Sequence, residues 1–537
     1  MRRSGPWRAR VAWRARPTRS AIAALVSPAG ARDSSAAVAG CTVGPNFAEP
    51  NPHLPEKSFF GDNGQVLGAR LPAPTDPTWW NVFRDPVLTG LEQRVAAANL
   101  DVQTATLRLA ESRFQRGVAA AAEFPSINAD DKYTRELYSK NGIISLLSPL
   151  LGPSGAGFSP GALNEYYSGF DASWELDLWG RIRRQVESAD AQVDQAADQR
   201  RDALVSSLAE LARDYLQLRG VQTQIGIAND NLKVDRDILE LAQERQQRGL
   251  QNGLDVENAA AQVESVRAQI PQLQQQESEY INALSLLLDQ PPGALKTELG
   301  LRRSVRTGPP RIPLGIPSEL ARRRPDIRAA EDALHAATAN IGVAVGDFYP
   351  KVQLNGTVGF DSLDIKHLYD ASSLQYMVGP SVTLPIFEGG RLRSTLKLRE
   401  AQQQEAAITY RKTVLQAWHD VVNALVAHRL EQNRRARLRS QAEHASAALG
   451  LARARYNDGL TEFLTVLDAE RTLLQAQQQY ATSTTNVSLD LVQLFKALGG
   501  GWETEFPDVP SETAAPLVPA TAGPSDIAVD AALNEAR

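Results

Sequence analysis

Cysteine is almost missing: Cys41 is the only one in 537 residues. No intramolecular disulfide is possible, and no thiolate cluster exists to hold a metal. The six histidines are scattered, with no pair at i, i+4 spacing and none beside the cysteine, so a zinc centre has no donor set. No run of about 18 apolar residues occurs, which excludes a transmembrane helix. Any membrane-spanning part has to be a β-barrel, whose segments are only half apolar. A basic excess is also lacking. The 57 Lys and Arg stand against 62 Asp and Glu, a net charge of −5 that argues for no nucleic-acid partner.

Catalytic constellations are absent as well. Ser394 and Lys397 form an isolated SxxK at a helix start, without the companion motifs of that chemistry. The Gly-rich stretch GPSGAGFSPG at 152–161 lacks the Lys-Ser/Thr ending of a phosphate cradle and reads as an exposed loop. Arg322–Arg324 reads as a solvated helix start. The expectation is a protein that is not an enzyme and needs no cofactor.

The ends are compositionally distinct. Residues 1–20 are Arg-rich, AIAALV follows at 21–26, and Pro28, Arg32 and Asp33 interrupt the apolar patch before AAVAGC at 36–41. Two readings stay open: a basic leader or misassigned start, and a degenerate lipoprotein signal with Val38-Ala39-Gly40-Cys41 as its lipobox. From Pro507 the chain is rich in Pro, Ala, Ser and Thr and reads as a disordered tail.

Between the ends the chain repeats itself. A shift of 210 lays Gly180-Arg181 on Gly390-Arg391, Ala191-Gln192 on Ala401-Gln402, Leu241-Ala242 on Leu451-Ala452 and Gly249-Leu250 on Gly459-Leu460. Upstream the shift is 225, with Gly117 on Gly342 and Phe124-Pro125 on Tyr349-Pro350. A period this long marks a duplicated half-protein. Each half reads helix, strand, loop, strand, long helix, helix. Helices are expected at 86–122, 181–248, 254–289, 325–347, 391–456 and 461–498, and strands at 125–137, 166–178, 350–361 and 375–387.

Leu204, Leu208, Leu211, Tyr215 and Leu218 step 4-3-4-3, as do Val414, Trp418, Val421, Leu425 and His428, the spacing of a narrow coiled-coil seam. A helix of some 65 residues is about 100 Å long, too long for a compact domain. The strands alternate: Val352, Leu354, Val358 and Phe360 against Lys351, Gln353, Asn355 and Thr357. Alternation fits a barrel wall, and it also fits hairpins half-buried on helices in a soluble α+β protein. On the barrel reading, Asp171, Glu175 and Asp177 face the lumen. Four strands cannot close a barrel, whose smallest examples have about eight, so subunits pool them: twelve from three chains or eight from two.

In CTVGPNF (41–47), WELDLWGRIRR (174–184), RRPDIRAAE (323–331), GDFYPKVQLNGTVGF (346–360), LPIFEGGR (384–391) and ARYNDGL with VLDAE (454–470), the chain resembles the TolC-type outer-membrane efflux proteins. Within that family it is similar to the OprM/NodT-like lipoprotein branch. The resemblance implies an α+β membrane protein with internal duplication. A homotrimer builds a 12-stranded outer-membrane β-barrel, four strands per chain, continuous with a 12-helix periplasmic α-barrel of coiled-coil helices. It implies a signal/leader at 1–40, an extended segment at 41–84, repeats at 85–292 and 318–500, a connector at 293–317 and a disordered tail at 501–537. It further implies a passive conduit for small molecules or drugs in a Gram-negative outer membrane, with a periplasmic adaptor (membrane fusion) protein, an inner-membrane RND pump and outer-membrane lipid as partners. Cys41 is then the lipidation site. Asp255 and Tyr456 hold the helix turns shut, Asp468 lines the aperture, and Thr465 and Thr461 stand where the family has a further Asp and an Arg. A type I protein-secretion duct and, from another class, a soluble coiled-coil scaffold are the alternatives.

Overall fold

The computed structural model describes residues 42–51, 77–137, 139, 162–249, 252–301 and 320–507. The leader, Cys41, the Gly-rich loop at 152–161, the connector from 302 to 317 and the chain beyond Pro507 lie outside these residues. The first half contains α1 (Pro86–Ala98), α2 (Leu100–Ala121), β1 (Ser126–Glu136), β2 (Leu163–Leu176), α3 (Arg181–Gln247) and α4 (Gly253–Leu287). Two short helices follow, α5 (Lys296–Leu299) and α6 (Leu320–Arg323). The second half contains α7 (Pro325–Gly346), β3 (Lys351–Ser362), β4 (Leu374–Thr383), α8 (Arg391–Asn457) and α9 (Phe463–Leu498).

The helix expected over 86–122 is two helices. Asn99 breaks it in an extended conformation, and its Oδ1 accepts from the amides of Asp101 and Val102, capping α2. The segment expected to be extended up to residue 84 holds a 3-10 turn, Trp79–Phe83, whose Trp79, Trp80 and Phe83 are buried. The tail expected from 501 starts structured. Trp502 is buried, its Nε1 donates to the carbonyls of Arg323 and Gly499, and Arg201 donates to the carbonyl of Phe506. Large aromatics gain enough from burial to order short stretches that composition alone marks as loops.

The four strands form one antiparallel sheet in the order β1-β2-β3-β4, so β2 and β3 join the two halves and β1 and β4 are the edges. The main contacts of each strand are with its neighbouring strands, and none of the described helices packs broadly on the sheet, as hairpins half-buried on helices would require. Each half passes from strand to helix through a glycine in the left-handed region, Gly180 (φ +76) and Gly390 (φ +88). A side chain there would be strained. Arg–carboxylate pairs brace both joints: Arg181 holds Glu175 through two bonds of 3.1 and 2.8 Å, and Arg391 pairs with Glu388.

α3 and α8 have 67 residues each, about 100 Å of helix. α2 packs on the first part of α3 and α4 on the second; α7 and α9 pack on α8 in the same way, and α7 also lies against α3. Leu204, Leu208, Leu211, Tyr215 and Leu218 are all buried, as are Val414, Val421 and His428. The narrow seam expected on α3 is wider, because α1, α2, α4, α7 and α9 all pack on this helix. The largest core joins Trp79, Phe83, Leu88 and Leu91 to Leu211, Leu218, Leu491 and Phe495, where the short elements wrap the helices at mid-length.

Candidate functional site

Two regions combine features expected of a conduit: the end where the helices turn, and the sheet. At the turns, Gly249 (φ +70) and Gly459 (φ +72) stand in equivalent places and end α3 and α8. The amide of Leu460 donates to the carbonyl of Arg455 at 2.8 Å and that of Gly459 to Tyr456 at 3.0 Å, closing the last turn of α8. Asn252 caps α4 by accepting from the amide of Asp255. Tyr456 is buried with Ile238, Ala242 and Phe463, and Val256 packs on the same cluster, so the two turns meet. The guanidinium of Arg245 lies 4.4 Å above the Tyr456 ring and makes long contacts to the Tyr456 carbonyl and Asn457 Oδ1.

Asp255 is half-buried on the first turn, next to Val256 of that cluster. Thr461 and Thr465 are brought together, hydroxyl to hydroxyl at 3.2 Å, and Asp468 is exposed one helical turn further along α9. Sequence reasoning missed Arg245, although an arginine in the last turn of a long helix is placed to cap its carbonyls. It also missed Asp235 and Glu470, two buried carboxyls inward of the turns. Their signal is visible in the sequence: Glu470 falls in the apolar phase of Phe463, Val466, Leu467, Leu473 and Leu474.

In the sheet, the register sorts side chains into rows. One face carries Ile127–Ala172–Gly356–Val378 and Ala129–Phe170–Val358–Tyr376. The other carries Ser126–Ser173–Asn355–Gly379 and Asn128–Asp171–Thr357–Met377. The apolar face is open: Phe170 is 57% exposed, Val378 72% and Tyr376 79%. The polar face is laced by hydrogen bonds, from Ser173 to Asn355 and from Asn355 to Ser381 at 3.1 Å each, and from Asn128 to Asp171 at 3.2 Å. Aromatic pairs mark both ends of the band, Tyr133 on Tyr166 and Trp179 on Tyr349, each 4.9 Å between centroids. Asp171 and Glu175 share the polar face, and Glu175 is bound to Arg181. Asp177 falls past the end of β2, where it accepts from the amide and guanidinium of Arg183. The sheet thus brings Asp171 into a polar row and uses the other two acids at the joint.

No helix among the described residues is long and apolar enough to cross a membrane. An exposed sheet with one greasy and one hydrogen-bonded face, fused to helices that converge on two touching turns, fits the channel class of membrane protein. The model of the outer membrane efflux protein family matches residues 91–290 and 316–500, and the chain belongs to that family. It is 31% identical over 466 residues to the outer membrane protein OprJ of Pseudomonas aeruginosa, covering 86% of this chain and 93% of that one. It is 30% identical over 470 residues to the probable outer membrane lipoprotein SilC of Salmonella typhimurium, covering 87% and 96%. Among solved structures, it is similar to the outer-membrane channel OprN with a TM-score of 0.79 and 33% identity, over 86% of this chain and all of that one. The open state of the MtrE channel of Neisseria gonorrhoeae superposes at 0.72 with 27% identity, over 86% and 99%. The fold is that of the TolC-like channels, helix-rich with a few strands.

Proposed function

We propose that three copies of this outer-membrane efflux protein form a conduit, with twelve strands closed into a barrel and twelve helical columns into a tunnel below it. The protein is the outer-membrane channel component of an RND-type efflux system. The reading is carried by the sheet, whose apolar face is uncovered and whose edges β1 and β4 are open. In lipid those edges require partners. The helices support the same assembly. α2 packs on α3, α3 on α7 and α7 on α8, while α2 and α8 keep apolar side chains exposed on their free flanks, among them Phe114, Val118, Leu398 and Ile408. A second copy supplies the missing neighbour of each.

On this reading the chain divides into repeats at 85–292 and 318–500 about a connector at 293–317. The turns are the closing end: Asp255 pairs with Tyr456, the Thr461–Thr465 hydroxyl pair replaces a charged contact, and Asp468 gives the aperture a ring of three carboxylates that concentrates cations. Asp171 faces the lumen. A periplasmic adaptor contacts the turns and links them to an inner-membrane pump, which supplies the energy. Cys41 carries the lipid. The position of Thr42 supports this: it lies against Gly180 at the strand-to-helix joint, the level of the Trp179–Tyr349 pair, and the amide of Val43 donates to the carbonyl of Trp179.

The test is fractionation followed by conductance. A heat-modifiable trimer in the outer membrane is expected, with stepwise conductance in planar lipid films that rises in Asp255→Ala and in Tyr456→Phe. A detergent-indifferent soluble rod without channel activity overturns the reading. Unchanged conductance in both variants overturns the role of the pair alone.

A further inference from the structure

Inward of the turns, a pair of acids is buried among the four long helices. Asp235 of α3 and Glu470 of α9 are 2% and 1% exposed. They belong to different hairpins. α4 adds Gln262, which is buried, and α8 adds Arg453, so all four long helices meet at this level. Neither oxygen of Asp235, nor Oε2 of Glu470, has a hydrogen-bond partner of ordinary geometry. Each carboxyl faces the other. A carboxyl donates only when protonated, and two in contact in a dry site do not both stay ionised.

We propose that Asp235 and Glu470 are positioning residues that share one proton, fastening α3 to α9 as a second lock inward of the turns, and that loss of this proton favours opening. The proposal rests on the reading of the turns as the closing end. The charges that reach the pair are Arg453 of α8, whose Nη2 is 3.4 Å from Glu470 Oε1, and Arg471 of α9, whose Nε is committed to Gln262 Oε1 at 2.9 Å. α4 presents only the neutral Gln262 amide to it. Burial, and then the neighbouring Asp235 carboxylate, push Glu470 up to about 8, against the pull of Arg453. Burial also raises Asp235, against the pull of the neighbouring Glu470 carboxyl, the Gln262 amide and the two arginines.

The sign follows from proton counting. The closed form keeps a proton that a hydrated Glu470 releases near 4.5, its ordinary value. Between there and about pH 8 the closed form binds more protons, so rising pH favours opening, by at most about tenfold per pH unit for one proton. Above that window both forms are deprotonated and the dependence ends.

The experiment uses the full-length protein in planar lipid films from about pH 5 to about pH 9, as wild type, Glu470→Gln, Asp235→Asn and Asp255→Ala. Wild-type opening is expected to climb to about pH 8 and level off. Glu470→Gln donates without a titrating proton and is expected to stay closed with a flat profile. Asp255→Ala is expected to open more at every pH and keep the wild-type slope. A wild-type slope in both Glu470→Gln and Asp235→Asn overturns the proposal while leaving the conduit intact. Infrared spectroscopy judges the shared proton independently of conduction: the protonated-carboxyl band at neutral pH is expected to lose the intensity of one carboxyl in Glu470→Gln, over a background from Glu92, which burial also raises. An unchanged band in Glu470→Gln overturns the shared proton, whereas a protein that shows the Glu470-dependent band and forms no channel overturns the conduit reading and the gating role with it.

Discussion

α3 and α8 are the same helix twice, equal in length and aligned by a constant shift of 210, yet they live in different surroundings. Of the 67 residues in each, 30 are buried in α3 and 11 in α8. The exchange is specific. Ser188, Asp198 and Gly220 of α3 are buried against α7 or α9, and their counterparts Leu398, Ile408 and Leu430 of α8 are more than half exposed. Asp198 is held between Arg201 and Arg328, while Ile408 faces outward at 69% exposure. Aliphatic side chains exposed at positions whose duplicates are buried mark a face suited to another molecule. Duplication supplied two equal helices; one became interior to the protomer and the other its outward flank.

The strongest way to break this comparison is to put the buried helix's acid on the exposed one. Ile408→Asp together with Leu398→Asp is expected to abolish the trimer, read by light scattering in detergent, while the helical circular dichroism of the protomer persists. An intact trimer would show that this flank meets no neighbour. Next in size is the pair of equivalent arginines. Arg219 is fully buried and donates to the carbonyls of Leu299 and Leu301 and to Gln222. Arg219→Ala removes the donor to Gln222 Oε1 and to the Leu301 carbonyl, leaves Leu299 only its bond from Gln222, and is expected to cost about 3 kcal/mol in chemical denaturation. Arg429→Ala, at the exposed counterpart, is expected to fall within about 0.5 kcal/mol of wild type. Equal losses would mean that Arg429 is covered in the assembly. A smaller loss than at Arg219 is expected at the joints. Glu175→Gln removes a bidentate partner of Arg181 and should cost about 1 kcal/mol in the same assay, and Glu388→Gln less, since Arg391 is largely exposed.

Much of the fold was legible because its signals are local and duplicated. The four strands, the glycine joints and the turns at Gly249 and Gly459 each rest on a short period or a residue type with one conformational use. The break at Asn99 was missed because both flanking helices carry the same periodicity, and only the amides of Asp101 and Val102 reveal the cap. The Trp79–Phe83 turn and the buried Trp502 were missed because their order comes from partners far along the chain. At the site, the family resemblance pointed to Asp255 and Tyr456 on the turns, whereas the junction role of Glu175 and Asp177 depends on where β2 stops and on which arginines follow. The apolar phase of α9 marks Glu470, but its meeting with Asp235 was not legible, because which carboxyls share a level is a property of four helices at once.

The antiparallel sheet has a further consequence through its parity. With four strands, its first and last run in opposite directions, so in the proposed barrel the outgoing edge of one copy would meet the incoming edge of the next in antiparallel fashion. An odd count would force a parallel join at every boundary between copies. Evenness also returns each hairpin to the side from which it left, which places the long helices beneath one rim.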